Sequence, residues 1–281
     1  MIDLHSHTTA SDGTFSPAKL VEEAQRIGLR TLGITDHDTF SGYDEALPLA
    51  RAAGLDLVRG IELSTKLNGH SVHLLGYFLN EQRPGLVEFK KWIGDLQESR
   101  RERNIRLVAR LQELGLDVTM EEAAARGGGM TGRPHFARLL VEKGYVSNMQ
   151  QAFDDYLDES AKGYVTRREP QFAEAAQRIG QAGGIASLAH PIRLREDLAS
   201  VLPKLCTDGL TAIEVYHSDH SPAQTELYLT LANEHKLLVT GGSDFHGAAK
   251  PEIQLGTGRE NNLRVPEDLV DQLRAALKNS F

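Results

Sequence analysis

The sequence predicts an α/β fold in which helices alternate with short buried strands around a mainly parallel sheet. In residues 1–80, and again in residues 163–281, apolar runs alternate with stretches of helical periodicity, which is the pattern of βα units. In residues 81–162 only the helical period is present. We therefore expect one α/β domain formed by residues 1–80 and 163–281, with a helical insertion, or cap, at residues 81–162.

The first part of the chain begins with a short apolar strand that leads into His5. Ser16 and Pro17 predict the start of a helix that continues to Gly28, because serine caps helices and proline suits the first turn. A second helix is expected from Ser41 to Ala53, with a kink at Pro48. The other expected strands of this part are Thr31–Ile34, Leu55–Ile61, which ends on Glu62, and Val72–Leu75.

The insertion is predicted to contain helices only. A helical stripe of apolar residues begins at Leu86 and resumes at Leu107. Between these stripes, the run Gln97–Asn104 has no apolar residue, and we expect it to form a solvated face rather than a basic strip that serves an active site. Gly127–Gly129 is expected to be a flexible joint. The other predicted elements are an amphipathic helix after Thr131–His135 and a short helix at Ala152–Leu157.

The last part of the chain returns to the βα pattern at Pro170. Its strands are short and apolar, and each is followed by a polar segment. The predicted strands are Ile185–Leu188, Ala212–Val215 and Leu237–Val239. The predicted helices are Phe172–Ile179, Leu198–Leu205, Ala223–His235 and Pro266–Leu277.

The composition is that of an ordinary globular protein. The chain has 281 residues, of which 40% are hydrophobic and 25% charged, so it can bury a sizeable core. Its net charge of −8 argues against a partner such as long nucleic acid, although bound cations could still hold a small anion. Cys206 is the single cysteine, which excludes an internal disulfide. We expect a cytoplasmic protein without a membrane segment.

Histidines and acids follow the predicted strands. His5 and His7 are two residues apart and therefore point to the same face of an extended strand. The carboxyl ends of parallel strands share one face of a sheet, so these side chains are expected to meet in one pocket. The residues concerned are His5, His7, Asp12, His37, Glu62, His190, Asp244 and His246, with His73 inside a strand. His70, His217 and His235 have weaker claims.

Such a set of donors indicates a metal centre. Imidazole and carboxylate ligands without thiolate suit manganese, iron or zinc, and the number of donors is too high for one ion. We expect two or three divalent ions, manganese being favoured, with Glu62 as the bridging carboxylate. Metal ions lower the pKa of bound water from 15.7 to about 7 and can hold the oxygens of a phosphate ester. This chemistry would supply a nucleophile without serine or cysteine.

The motifs resemble those of the PHP family, the polymerase and histidinol phosphatase group. They are HxH with a following Asp, TDHD, the strand-end Glu62, HSVH, AHP and GSDFH, in the family's order between Met1 and Gly247. The resemblance implies a distorted seven-stranded βα barrel with a trinuclear metal centre that hydrolyses phosphate esters. It implies that the three ions are held by His5, His7, Glu62 and Asp244, by Glu62, His73 and His190, and by Asp12, His37 and His246.

The insertion, with GRPHFAR from Gly132 and with KGYV, is similar to that of small stand-alone PHP enzymes. This resemblance implies removal of the 3′-phosphate from nucleoside 3′,5′-bisphosphates, or trimming of short oligoribonucleotides from the 5′ end. Two alternatives stay open. One is a histidinol-phosphate phosphatase, and the other is a noncatalytic metal-binding module that regulates a partner.

Substrate contacts are less clearly marked in the sequence. Arg133 is predicted to clamp phosphate, because a guanidinium can bind two phosphate oxygens at once. His135, Lys162, Arg168 and His220 are further candidates for substrate binding. His220 or a metal-bound water could also donate the proton to the leaving hydroxyl.

Overall fold

The computed structural model describes residues 1–80, 84–126 and 129–279. Seven strands form one sheet in which each strand pairs with its neighbours in the chain. The first and last strands also meet, because Leu4 N donates to Gly241 O over 3.1 Å and His7 N donates to Phe245 O over 2.9 Å. These contacts nearly close the sheet into the predicted barrel. The strands are β1 (Ile2–Asp3), β2 (Thr31–Ile34), β3 (Asp56–Leu67), β4 (His70–Phe78), β5 (Ile185–Leu188), β6 (Ala212–His217) and β7 (Leu238–Gly242).

Helices surround the barrel, and most lie within a few residues of their predicted bounds. A further hairpin of β8 (Ile253–Gln254) and β9 (Gly258–Arg259) lies outside the main sheet. The helices are α1 (Pro17–Arg26), α2 (Ser41–Ala52), α3 (Gly85–Glu113), α4 (Met120–Ala124), α5 (Arg133–Glu142), α6 (Met149–Ala152), α7 (Phe172–Gln181), α8 (Leu198–Thr207), α9 (Pro222–Glu234) and α10 (Leu269–Asn279). No helix in these described ranges is long and apolar enough to cross a membrane.

The expectation of parallel strands is wrong at β4. This strand pairs antiparallel with both β3 and β5. The reason is the two-residue turn Asn68-Gly69, whose φ angles of 49° and 85° suit a tight hairpin between Leu67 and His70. An Asn-Gly pair between apolar runs is a strong hairpin signal, so the sequence does contain this information.

Strand β3 is also longer than predicted, so Glu62 lies inside it rather than at its end. Its first residues pair with β2 as far as Arg59, and the strand then continues beyond the end of β2. An isolated parallel bridge joins Glu62 to His37, which lies in the loop after β2. Glu62 therefore still lies level with the carboxyl end of the neighbouring strand.

Helix α3 connects the barrel with the helical insertion. Residues of its first half, including Phe89 and Trp92, belong to the core cluster that contains barrel residues such as Phe172. Residues of its second half belong to a separate cluster with Leu140 of α5. The division of the chain at residues 81–162 stays a prediction. Of the predicted flexible joint, Gly127 and Gly128 lie outside the described residues.

The prediction of a solvated face at Gln97–Asn104 is wrong for three side chains. Arg100, Arg103 and Asn104 are buried, with 7%, 4% and 2% of their surfaces exposed. The run has no apolar residue, yet the helix turns this part of it towards the loops at the carboxyl end of the barrel. Arg100 donates there to Asp38 and, over 3.4 Å, to Ser64 Oγ. The charge of Arg100 can be buried because the buried carboxylate of Asp38 lies opposite it.

Candidate metal centre

Most of the predicted metal ligands lie in the loops at the carboxyl end of the barrel. His5 and His7 follow β1, His37 follows β2, and His190 follows β5. Asp244 and His246 follow β7, and the structure brings them next to the loop after β1. Each of these side chains is largely buried, with His37 the most exposed at 15% of its side chain.

Four of the predicted ligands face one point. The Nε2 atoms of His5 and His7 lie 3.3 and 3.1 Å from Glu62 Oε2. Both nitrogens also lie 3.4 Å from Asp244 Oδ1. Donors that share an ion at about 2.1 Å lie about 3.0–3.4 Å from one another, because the edges of an octahedron or tetrahedron are longer than its radius. This group has the spacing of one coordination shell.

The other oxygen of Glu62 faces a second group. Glu62 Oε1 lies 2.8 Å from His73 Nδ1 and 3.0 Å from His190 Nε2. One carboxylate thus faces two pairs of histidines with its two oxygens. This is the arrangement required of a carboxylate that bridges two ions.

A third group lies around Asp12. Its Oδ1 atom is 3.3 Å from His246 Nε2, and its Oδ2 atom is 3.8 Å from His37 Nε2. His7 Nδ1 lies 3.6 Å from Asp12 Oδ1, so His7 stands between the first and third groups. The structure therefore brings all the predicted ligands together, and their binding of metal stays a prediction.

Two buried nitrogen atoms support a cation in this site. His7 Nε2 and His37 Nδ1 are buried and have no hydrogen-bond partner, although each faces a carboxylate. Buried polar atoms are nearly always paired, so an orphaned imidazole nitrogen beside a carboxylate fits a shared ion. The donor set fits divalent metals that accept nitrogen and oxygen ligands.

The protonation states of His37, His190 and Glu62 also favour metal binding. Burial lowers the pKa of His37 to about 3, so this imidazole is neutral at pH 7, which is its ligating form. Burial and the nearby Arg193 lower the pKa of His190 to about 3 as well. Burial alone would raise the pKa of Glu62, but the surrounding histidines hold it well below its usual range. The carboxylate is therefore ionised.

His7 behaves differently. Burial lowers its pKa, but the nearby carboxylates of Asp244, Glu62 and Asp12 outweigh burial and raise the value to about 9. A proton on His7 thus offsets part of the negative charge of these carboxylates. A cation bound by the same atoms would displace that proton.

Sequence reasoning missed Glu214 and underrated His217. Glu214 Oε1 accepts from His5 Nδ1 over 2.8 Å, which directs His5 Nε2 at the site, and Glu214 Oε2 accepts from His190 N over 2.7 Å. His217 Nδ1 accepts from Asp219 N over 3.0 Å, and its Nε2 lies 3.8 Å from Asp244 Oδ2. An acid inside the apolar run Ala212–Val215 is the signal that could have identified Glu214.

The loops that carry the ligands contain unusual backbone. Asp38, His190 and Asp244 have positive φ angles of 53°, 27° and 56°. Residues other than glycine rarely adopt this conformation, and where it occurs the surrounding structure must hold it in place. The backbone hydrogen bonds Asp38 N to Glu62 O and Asp244 N to His5 O, at 3.0 and 2.9 Å, do so here.

A cavity of about 590 Å³ opens above the predicted ligands. Most of its lining consists of three kinds of residues. The predicted ligands Asp12, His37, Glu62, His73, His190, Asp244 and His246 are the first kind. The second kind is basic, namely Arg100, Arg133, Arg138, Arg193 and Lys250. The third is apolar and includes Met130, Pro134, Met149 and Phe153.

Of the predicted substrate contacts, Arg133 lines this cavity, where its Nη1 donates to Leu157 O over 3.3 Å. His135 and His220 are not among the described lining residues. His135 Nδ1 instead accepts from Gly132 N over 2.9 Å, and His220 Nδ1 donates to Val215 O over 2.8 Å. Both rings are buried.

The structure does not bring Lys162 or Arg168 to the cavity either. Lys162 Nζ lies over the ring of Tyr156, 4.2 Å from its centre. Arg168 is exposed and contacts Ser99 through its backbone, whereas the preceding Arg167 is directed inwards to Asp38 over 3.1 Å. The lining arginines that the sequence did not single out are Arg100, Arg138 and Arg193, together with Lys250.

Comparison with known proteins gives consistent results. A family model described as the PHP domain matches residues 3–165. The chain is 36% identical over 261 residues to the 5′-3′ exoribonuclease Rnm of Escherichia coli (strain K12), covering 90% of this chain and 87% of the relative. It is 32% identical over 262 residues to a 3′,5′-nucleoside bisphosphate phosphatase of Chromobacterium violaceum, covering 91% and 90%.

A solved structure from Bifidobacterium adolescentis, described as a metal-dependent phosphoesterase, has the same fold with a TM-score of 0.85. Its sequence is 34% identical, and the match covers 98% of this chain and 95% of that one.

Proposed function

Because this chain belongs to the PHP family and is a metal-dependent phosphoesterase, we propose that it removes the 3′-phosphate from nucleoside 3′,5′-bisphosphates. Short oligoribonucleotides are a second substrate of the same site, which the likeness to the E. coli exoribonuclease supports. The observation that carries the proposal is that metal-type donors and several basic side chains line one cavity. Nucleotides with more than one phosphate match that combination.

In this proposal the side chains hold three divalent ions. His5, His7, Glu62 and Asp244 hold the first, Glu62, His73 and His190 the second, and Asp12, His37 and His246 the third. Manganese suits these ligands best, and iron or zinc also fits. Bound ions of this kind would activate water as a nucleophile and neutralise the negative charge on the phosphoryl oxygens.

Two groups of basic residues bind the phosphates. Arg193 Nη2 and Lys250 Nζ lie 3.2 and 2.7 Å from Asp244 Oδ2, so they stand beside the ions and contact the phosphate that is cleaved. Arg100 and Arg133 lie on the side of the insertion and bind the second phosphate. Guanidinium groups suit this task because they form paired hydrogen bonds with phosphate oxygens.

The basic residues of the cavity also argue against the two alternative functions. Histidinol phosphate carries an ammonium group, and a cavity lined by several cations repels it. A noncatalytic module would not require that basic side chains and metal donors share a cavity large enough for a nucleotide. We also keep the cytoplasm as the expected compartment, because the single Cys206 leaves no internal disulfide.

The proposal is tested by measuring phosphate release from adenosine 3′,5′-bisphosphate, from histidinol phosphate and from a short 5′-phosphorylated RNA, with manganese supplied. We expect turnover of the bisphosphate and of the RNA, and at least a 100-fold lower kcat for Asp244→Asn. Glu226→Gln, which changes an exposed acid on α9, is the matched control. Turnover of histidinol phosphate alone would replace the proposal with the first alternative, and no turnover of any of the three would favour a noncatalytic role.

A further inference from the structure

The apolar part of the cavity lining comes from the insertion. Met130, Pro134, Met149 and Phe153 lie in the segment between α4 and the end of the helical insertion. Among the described lining residues that the barrel contributes, all are polar or charged except Ala249. The cavity is therefore divided into a charged floor and an apolar wall, and we call Met130, Pro134, Met149 and Phe153 the apolar wall.

A phosphate group does not account for these apolar side chains. Phosphate groups are recognised by cations and hydrogen-bond donors, which the barrel and the arginines already supply. A cavity of about 590 Å³ lies within the range for a ligand of nucleotide size and is far larger than one phosphate needs. Half-buried apolar side chains that line such a cavity indicate that part of the ligand is itself flat or apolar.

Phe153 is the aromatic member of this wall. It follows α6 directly and opens a π-helical turn, Phe153–Leu157. Single π-helical turns are rare and are often found at functional sites, because the wider turn changes the direction of the side chains. Phe153 packs partly against the core cluster of the insertion and also lines the cavity, so its ring is supported from behind and exposed in front.

We propose that the apolar wall is a nucleobase subsite in which the base of the substrate stacks on Phe153. The inference rests on the proposed function and extends it from the phosphate groups to the nucleoside. A base presents a flat apolar face, whichever base it is, so stacking on an aromatic ring tolerates all of them. Within the described lining, Gln150 supplies one amide at this wall. The site thus distinguishes nucleotides from sugar phosphates more strongly than it distinguishes one base from another.

The test compares two substrates that differ only in the base. Adenosine 3′,5′-bisphosphate is measured beside 1,4-anhydroribitol 3,5-bisphosphate, which keeps the ribose 2-hydroxyl and carries hydrogen in place of the base, with the manganese-loaded enzyme. We expect kcat/KM to be at least about tenfold higher for the nucleotide. Phe153→Leu keeps an apolar side chain against the core but removes the ring. It should reduce this ratio about fivefold or more, through KM, while leaving kcat/KM of the abasic substrate within about twofold.

Matched variants separate stacking from stability. Phe153→Tyr retains an aromatic face and should keep the wild-type ratio. Met120→Ala also shortens a side chain that packs against the core cluster of the insertion, but Met120 is not among the described lining residues and the ratio should not change. Equal values for the two substrates in the wild type, or an equal loss on both in Phe153→Leu, would overturn the base subsite.

A binding measurement distinguishes failure of this inference from failure of the proposed function. Calorimetric titration with adenosine 5′-monophosphate and with ribose 5-phosphate requires no turnover. Tighter binding of the nucleotide, lost in Phe153→Leu, supports the subsite even if neither bisphosphate is hydrolysed, in which case only the proposed reaction is wrong. Equal binding of both ligands, together with hydrolysis of the bisphosphate, would leave the reaction standing and remove the subsite.

Discussion

Glu62 presents its two carboxylate oxygens to different histidines. Oε2 faces His5 and His7, and Oε1 faces His73 and His190. In the proposed metal centre, each of these oxygens would bind a different ion. Removing the negative charge here should therefore affect both ions at once, whereas removing an acid that serves one ion should affect one.

We predict that Glu62→Gln binds at least one ion fewer per chain and loses at least 100-fold in kcat, because a neutral amide neither bridges cations nor offsets their charge. Metal content measured by mass spectrometry on the purified variant checks the first part. The amide has nearly the shape of the carboxylate, so the circular dichroism spectrum should be that of the wild type. Full metal content in the variant would contradict the bridging role.

Glu214 is expected to act on the metal centre through His5. Its bond to His5 Nδ1 fixes which ring nitrogen points into the site. Glu214→Gln can place an amide NH₂ against that nitrogen and so favour the wrong tautomer. We predict a 10- to 100-fold weaker affinity for manganese, measured by competition with a chelator, and a KM for substrate that changes much less once metal is saturating. An unchanged affinity would show that Glu214 has no such positioning role.

At the scale of elements, Asp38 connects the loop after β2 with α3 and with the segment that leads to α7. Its carboxylate accepts from Arg100 and, over 3.1 Å, from Arg167, and all three side chains are at most 9% exposed. Gln97 of α3 also donates to Asp38 O over 2.9 Å. Through these contacts, the charged middle of α3 attaches the insertion to the loop that carries His37.

We predict that Asp38→Asn destabilises the fold by about 3–5 kcal/mol, because the buried Arg100 loses the carboxylate that it pairs with, while Arg167 keeps its second partner Glu169 over 3.1 Å. The measurement is urea unfolding of metal-free protein. Glu113→Gln, which removes an exposed acid paired with the exposed Arg110, is the control and should cost about 1 kcal/mol or less.

The ion pairs of Asp38 with Arg100 and Arg167 predict that the free energy of unfolding depends on pH. Burial raises the pKa of Asp38, but Arg100 and Arg167 outweigh burial and hold the pKa well below its usual range. The folded protein therefore binds the proton less readily than the unfolded chain. The stabilisation is fully present above about pH 4 and is lost as the pH falls below that value. Between pH 4 and 2, the wild type should lose more stability than Asp38→Asn, and equal slopes would contradict this assignment.

Periodicity predicted most elements because each barrel helix buries one apolar face. In α1, for example, Leu20, Val21 and Ala24 are buried, as the helical spacing requires. Periodicity wrongly predicted an exposed face in the middle of α3. There the burial of Arg100 depends on Asp38, about 60 residues away in the sequence, rather than on the pattern of the helix itself. Arg100 has the same local pattern as an exposed arginine. A charge that is buried because another segment brings a carboxylate to it leaves no periodic signal.

At the scale of the whole molecule, closure of the barrel is what assembles the site. His5 and Asp244 are neighbours because β1 and β7 meet, with Asp244 N donating to His5 O over 2.9 Å. The sequence could predict this meeting because every candidate ligand but His73 was expected just after a strand, and such strand ends share one face. The basic residues that surround the predicted ligands could not be predicted in the same way. Arg193 and Lys250 come from different loops, and only the folded chain shows that both contact Asp244.

This arrangement predicts that metal stabilises the entire barrel rather than one loop. The predicted ligands come from segments that follow β1, β2, β5 and β7 and from within β3 and β4, so bound ions link most of the sheet. An ion present at 100 times its dissociation constant adds about 2.7 kcal/mol to the free energy of unfolding. For a chain of 281 residues this is a rise of about 5 °C in Tm.

Calorimetry of the manganese-loaded and chelator-treated protein measures this shift. Treatment with chelator should lower Tm by about 5 °C or more, since the ligands come from most of the strands of the sheet and the loops after them. Asp244→Asn, which weakens one coordination group, should respond less to manganese than the wild type, while Glu226→Gln should respond as the wild type does. A Tm that is the same with and without manganese would mean that the donors at the mouth of the barrel do not share ions in the folded protein.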